Sequence, residues 1–334
     1  MVAIAVTFIY SWRSFNEIPL VVIGQPSSTG LLQKQKEEPF FTGLKAQTGI
    51  PFAVKYKPLE SVGFKDTHQL QMLNEGLFDL VSLRLLQNVD AEPGLMGLDL
   101  VGMSTNYSDA KKVVAAYSGT VDHYLQERFH AKLLGVWTFG PQEFFCRKPV
   151  RRLEDIKGLR VRVGSRAIAV FISALQGSPA VIGFDDTKNA LAVGLVDCAV
   201  SSAASANSAG WPEVAKYNYP LAIQFGLNGY AISLKKWNAL SAKEQSILKT
   251  TFDQYIADLW KFALDIQIDA TSCNTGGPCK HGHAYRIESN QPLPSDLTFM
   301  EKILKEKVLP DWGEQCDKVH PGCLREWQDK LYGH

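Results

Sequence analysis

The chain contains no apolar run of about 18 residues, so no helix able to span a bilayer is expected. An excess of one charge is also missing. Thirty-five Lys and Arg stand against 34 Asp and Glu in 334 residues, a net charge of +1. That balance leaves no basic footprint for nucleic acid. The catalytic and phosphate-cradling signatures GxGxxG, P-loop, HExxH and GxSxG are absent. None of the 7 His stands in a catalytic or metal-ligating pattern. Ser201 and Ser202 follow Cys198 with no base or oxyanion motif around them. No enzyme activity, cofactor or metal is therefore expected. What is present is ordinary globular material, 46% hydrophobic and 21% charged, enough for roughly two domains.

The 6 Cys form an even set. Cys273 and Cys279 lie close together in SCNTGGPCK, and Cys316 and Cys323 in EQCDKVHPGCL. Gly and Pro between the partners suggest tight loops that a disulfide can staple. Cys146 and Cys198 are left for each other. Such a set suits an oxidising compartment. His281 and His283 follow Cys279, yet the CxxC spacing of zinc sites is missing. The N-terminal run Val2 to Tyr10 has the length of a signal-peptide apolar region. No basic segment precedes it and no small-x-small cleavage site follows. Residues 1–17 are read as a degraded or incomplete export signal, with an ordinary first strand as the alternative.

Further on, strand and helix patterns alternate. Ile18–Gln25 and Pro51–Leu59 read as strands, Asp66 to Glu75 as a helix, and Asp79–Leu83 as a third strand. A second run has strands in Ala131–Val150, at Arg160–Val163, over AVIGF (180–184) and in LVDCAV (195–200), with helices between them. Two parallel-sheet α/β units follow from that order. Ser241 and Glu244 form a capping box ahead of an apolar stripe that runs from Leu248 to Ile266. A helix reaching about Ala270 is on the order of 40 Å long and exceeds one small lobe. The loops PSSTG (26–30) and SSAASANSAGW (201–211) follow strands, where open α/β proteins hold ligands.

The run FFCRKPVRRLEDIKGLRVRVGS, followed by ALAVGLVDCAV, resembles the central block of the DctP-type solute-binding proteins of TRAP (tripartite ATP-independent periplasmic) transporters. The order of elements is similar over 18–330. The resemblance implies a periplasmic-binding-protein-like α/β fold, with two lobes around a ligand cleft and a long helix spanning both. It implies lobe I at 18–139 plus about 227–264, and lobe II at 140–226 plus about 265–334. It also implies a periplasmic protein that captures a small organic acid and hands it to the transporter's membrane subunits.

In that family a strand arginine grips the ligand carboxylate, and the motif register puts the role on Arg162 rather than Arg160. Alternation cannot separate the two, because residues two apart on a strand face the same way. Some sialic-acid-binding members carry a second arginine where this chain has Gln142, a departure that argues against a sugar acid. The family's polar contact after VDC falls on Ser201. Arg84 is a further candidate contact, or else the partner of an acid. Trp137 and Phe144 are candidate apolar contacts, within a cluster with Phe139 and Phe145 of which half must face the core. A single anchoring arginine suggests a monocarboxylate, preferably a 2-oxo or 2-hydroxy acid. The alternatives are a C4-dicarboxylate with Arg84 as second cation, a ligand sensor, or an enzyme on the same scaffold.

Overall fold

The computed structural model describes residues 17–333; the candidate export segment lies outside them except for Glu17. Two sheets form the framework. The first contains β1 (Ile18–Gly24), β2 (Phe52–Pro58), β3 (Leu80–Arg84) and β4 (Ala131–Thr138). Its order is β2-β1-β3-β10-β4, with β10 (Leu227–Ser233) arriving from the other lobe. β1 runs parallel to β2 and β3, while β10 lies antiparallel to both its neighbours.

The second sheet contains β5 (Gln142–Cys146), β6 (Arg160–Val163), β7 (Ser178–Val181), β8 (Cys198–Ser201), β9 (Tyr217–Gln224) and the short β11 (Glu288–Ser289). Its order is β11-β9-β5-β8-β6-β7, and β6 is parallel to β7 and β8. The chain crosses between sheets from β4 to β5 and again from β9 to β10. Val, Ile and Leu fill the central strands β1 and β3, which are covered on both faces. Strand β7 begins at Ser178, two residues earlier than the sequence pattern suggests. By Ile182 the chain has left the sheet, and its carbonyl accepts a hydrogen bond from Arg162 instead.

Helix α1 (Tyr107–Phe129) backs the first sheet. Helices α2 (Arg166–Ala174) and α3 (Ala203–Ser208) belong to the second lobe, and each follows a strand directly. The long helix α4 (Ala242–Thr275) has the expected capping box. Ser241 Oγ accepts from Glu244 N at 3.3 Å, and Glu244 Oε2 accepts from Ser241 N at 2.7 Å. The helix runs one turn beyond Ala270, to a stop at Gly276 with φ 86°. Its Trp260 Nε1 donates to Val136 O of the first lobe at 2.9 Å. Two turns later Gln267 Nε2 donates to Glu143 Oε1 of the second at 2.8 Å. The helix therefore straddles both lobes.

The C-terminal helices α5 (Leu309–Val319) and α6 (Cys323–Tyr332) correct one expectation. They pack mainly against the first lobe, while Asp311 of α5 also pairs with Arg166 of α2 in the second lobe at 3.0 Å. Trp312 Nε1 donates to Pro93 O at 2.9 Å and Trp327 Nε1 to Gly97 O at 2.7 Å. Two buried indoles that find carbonyl partners hold this tail more firmly than chain order suggests. All six cysteines are paired as Cys146–Cys198, Cys273–Cys279 and Cys316–Cys323.

Candidate functional site

The cleft between the lobes collects the carboxyl ends of parallel strands. Arg84 ends β3, Ser201 ends β8 and Arg162 is the last residue but one of β6. Loops and helix starts at these ends supply Thr29, Gln87, Gly164 and Ser205. The crossing segments supply Phe139, Gln142, Leu227 and Asn228. The lobes stand close together. The cleft holds about 60 Å³ of free space and adjoins a pocket of about 210 Å³, with Thr29, Phe139 and Ser205 lining both. Gly30, with φ 76°, lies so near α3 that a Cβ there meets Ser208 Oγ at 2.3 Å. Only glycine satisfies both the backbone angle and that approach.

Arg162 is 6% exposed. Its Nε donates to Ile182 O at 2.9 Å and its Nη1 to Val200 O at 3.1 Å. The guanidinium lies over the Trp211 ring, 5.8 Å from its centroid. Two carbonyls and an aromatic face fix the plane of the fork. Arg162 has no carboxylate partner among the described residues, and Nη2 has no acceptor there. Burial, and then the like charge of Arg84, push its pKa down to about 10, so it stays charged at neutral pH. A desolvated cation held in a plane matches a carboxylate bidentately. Arg160, at the start of the same strand, is exposed and donates from Nη2 to Gly194 O at 2.9 Å. Position along the strand, rather than its face, separates the two arginines.

Arg84 reaches the same cleft but already has a partner: Nη1 lies 3.1 Å from Asp66 Oδ2. Its buried Nε has no acceptor among the described residues. Gln142 lines the cleft and donates from Nε2 to Gly140 O at 3.0 Å. Gly226, with φ 59°, lies beneath that side chain, and a Cβ there meets Gln142 Nε2 at 2.5 Å. The Ser201 hydroxyl has no hydrogen-bond partner among the described residues. Trp137 and Phe144 do not line the cleft. Both are fully buried, Trp137 beside Phe139 and Tyr230, and Phe144 beside Tyr219. Phe139, Phe184, Ile168 and Leu86 form the apolar wall instead.

Asn228 was not singled out in the sequence. It lies in the returning strand, so its distance along the chain hides its nearness to Arg84, with which it pairs in register. Thr29 lies in the first of the two segments expected as loops; Ser205 lies in the second, which the structure makes helical as α3 rather than a loop.

Two α/β lobes, two crossing strands and a cleft whose polar side chains surround a buried cation define a two-lobed, periplasmic-binding-protein-like solute receptor. Residues 30–264 match the family described as bacterial extracellular solute-binding protein, family 7 (DctP), and the chain belongs to that family. An uncharacterized protein of Haemophilus influenzae is 22% identical over 281 residues, covering 83% of this chain and 84% of its own. Among solved structures, a marine-metagenome TRAP solute-binding protein specific for pyroglutamate is 18% identical, with TM-score 0.80 over 95% of this chain and 99% of that one. A TRAP periplasmic solute-binding protein of Rhodoferax ferrireducens with bound malonate is 19% identical, with TM-score 0.79 over 94% and 98%. One from Desulfovibrio salexigens with bound orotic acid is 15% identical, with TM-score 0.80 over 94% and 99%.

Proposed function

We propose that this protein is the periplasmic receptor of a TRAP-type transporter and captures a small organic acid, a monocarboxylate, between its lobes. The observation that carries the reading is Arg162: buried, charged, fixed in plane and without a carboxylate partner among the described residues. The acid's carboxylate takes its free N–H groups. Gln142, Ser201 and Asn228 serve an oxo, hydroxy or lactam group beside that carboxylate, since amides and hydroxyls can both donate and accept. Phe139, Phe184 and Ile168 cover the remainder. Such a lining, mostly apolar with a few placed polar groups, is usual for small-ligand sites.

The cleft offers binding without chemistry. Ser201 has no neighbouring base, and the lining residues include no acid–base pair. Closure of the lobes presents a shape that membrane subunits can read. The relatives hold monoacids and a diacid alike, so kinship does not choose between them. Charge supports the monoacid: among the described residues Arg84 and Arg162 are the only charged ones lining the cleft, and Arg84 is already neutralised by Asp66.

A thermal-shift screen of pyroglutamate, orotate, pyruvate, mandelate, malonate, succinate and malate tests the reading, with calorimetry on the hits. A ligand at about 100 times its Kd adds roughly 2.7 kcal/mol of stability. Monocarboxylates are expected to stabilise. Tight binding of diacids alone overturns the monocarboxylate reading and supports the C4-dicarboxylate one. Cellular uptake of the identified acid, measured with and without this protein, separates transport from sensing.

A further inference from the structure

We propose that Asp66 is a specificity-determining residue: by neutralising Arg84 it tunes the cleft to monoanions and rejects dianions. The inference rests on the reading of Arg162 as carboxylate anchor. Its own support is a built ion pair rather than a chance surface contact. Arg84 leaves β3 with its backbone N–H held by Gln69 Oε1 at 2.9 Å. The side-chain amide of Asn88 then donates at 2.9 Å to both Asp66 O and Arg84 O. One amide thus ties together the backbones of the two residues whose side chains meet at 3.1 Å. Neither side chain is free in solvent, with 15% of Arg84 and 27% of Asp66 exposed.

The charge of the site follows from that pair. Arg162 and Arg84 contribute two positive charges and Asp66 one negative, leaving one for the ligand. Asp66 also offsets the repulsion that Arg84 exerts on Arg162, and so helps keep the Arg162 guanidinium charged. A second carboxylate entering the cleft meets an arginine whose charge is already balanced, with Asp66 beside it. Like-charge juxtaposition of this kind excludes a competitor more effectively than lost contacts do. Removing the Asp66 charge releases Arg84, whose Nε already lacks an acceptor among the described residues.

The test uses isosteric pairs, so that charge varies while size does not: succinate against its monoamide succinamate, and malonate against malonamate. Calorimetry is run on wild type, Asp66→Asn and Asp66→Ala, each checked for an intact melting transition. Wild type is expected to favour the monoamide. Both variants are expected to shift the diacid-to-monoamide affinity ratio toward the diacid by about 10-fold or more, one charge–charge contact in a partly buried site. A merely structural role for Asp66 weakens both members of a pair equally and leaves the ratio unchanged. An unchanged ratio in both variants, or a wild type that favours the diacids, overturns the proposal. Acids bound equally by wild type and Arg162→Ala overturn the anchor reading instead.

Discussion

Arg162 sits in the second lobe with its charge desolvated and its orientation set by two carbonyls and Trp211. Removing such a group from a complex typically costs on the order of 2–5 kcal/mol, some 30- to several-thousand-fold in affinity. Arg162→Ala is therefore expected to abolish or severely weaken binding of the acid found by screening. The fold should survive, because Ala removes a buried cation that no carboxylate compensates among the described residues. Arg162→Lys is also expected to bind poorly, since an ammonium cannot hold Ile182 O, Val200 O and a carboxylate at once. Calorimetry alongside melting curves checks both variants. Unchanged affinity in Arg162→Ala would move the anchor to Arg84. Gly226 acts at the same scale. Gly226→Ala strains a positive φ and drives a methyl into Gln142, so weaker binding with modest loss of stability is expected by the same measurements.

Strands β5 and β8 carry Gln142 and Ser201 into the cleft, and Cys146–Cys198 ties their far ends together. The bridge joins residues 52 apart in sequence, against 6 and 7 for the other two. In the loop-entropy view the longest closed loop restricts the unfolded chain most, by roughly 4 kcal/mol here. The Cys146→Ser/Cys198→Ser double variant should therefore lose more stability than either local double variant. Guanidinium midpoints of the three proteins decide the order; equal midpoints, or a larger loss at Cys273–Cys279, contradict it. Non-reducing peptide mapping checks the pairing itself.

Across the whole molecule, three buried carboxyls hold the lobes and their crossings. Asp99 accepts from Phe225 N at 2.8 Å and Leu227 N at 3.2 Å, bracing the crossing into β10. Glu143 accepts from Asn218 Nδ2 at 3.1 Å and Gln267 Nε2 at 2.8 Å, joining the second sheet to the long helix. Glu37 accepts from the Tyr56 and Tyr230 hydroxyls, each at 2.9 Å, in the first lobe. Burial raises all three pKa values, Asp99 and Glu143 to about 7. A carboxyl raised in the folded state binds a proton that the unfolded chain has released. Its stabilisation is complete below the unfolded pKa and is lost as pH rises through the folded one. Asp109, Glu213 and Asp269, whose pKa values are lowered, have the opposite sign but finish titrating below about pH 5. Stability is thus expected to fall from pH 5 to pH 8, and Glu143→Gln to flatten that fall. Melting temperatures across the range test it. A wild-type profile that rises through the range, or a Glu143→Gln profile of unchanged slope, defeats the prediction.

Local rules read from the chain covered a large part of this protein. Alternating strand and helix patterns, the Ser241–Glu244 capping box and the close cysteine pairs all depend on neighbours in sequence, so they were legible there. Motif register pointed to Arg162, which the structure places in the cleft. Four things needed the folded chain. The facing of Trp137 and Phe144 into the cores depended on packing partners remote in sequence. The docking of the C-terminal helices depended on Trp312 and Trp327 finding carbonyls more than 200 residues away. Asn228 joined the cleft only because β10 returns between β3 and β4. The pairing of Arg84 with Asp66, which sets the charge of the cleft, arose where a turn and a strand end meet across Asn88. Sequence determines what each segment prefers to be, because propensity and periodicity act over a few residues. Which charges and rings share a cavity is decided by long-range contacts, and those exist only once the two sheets have formed.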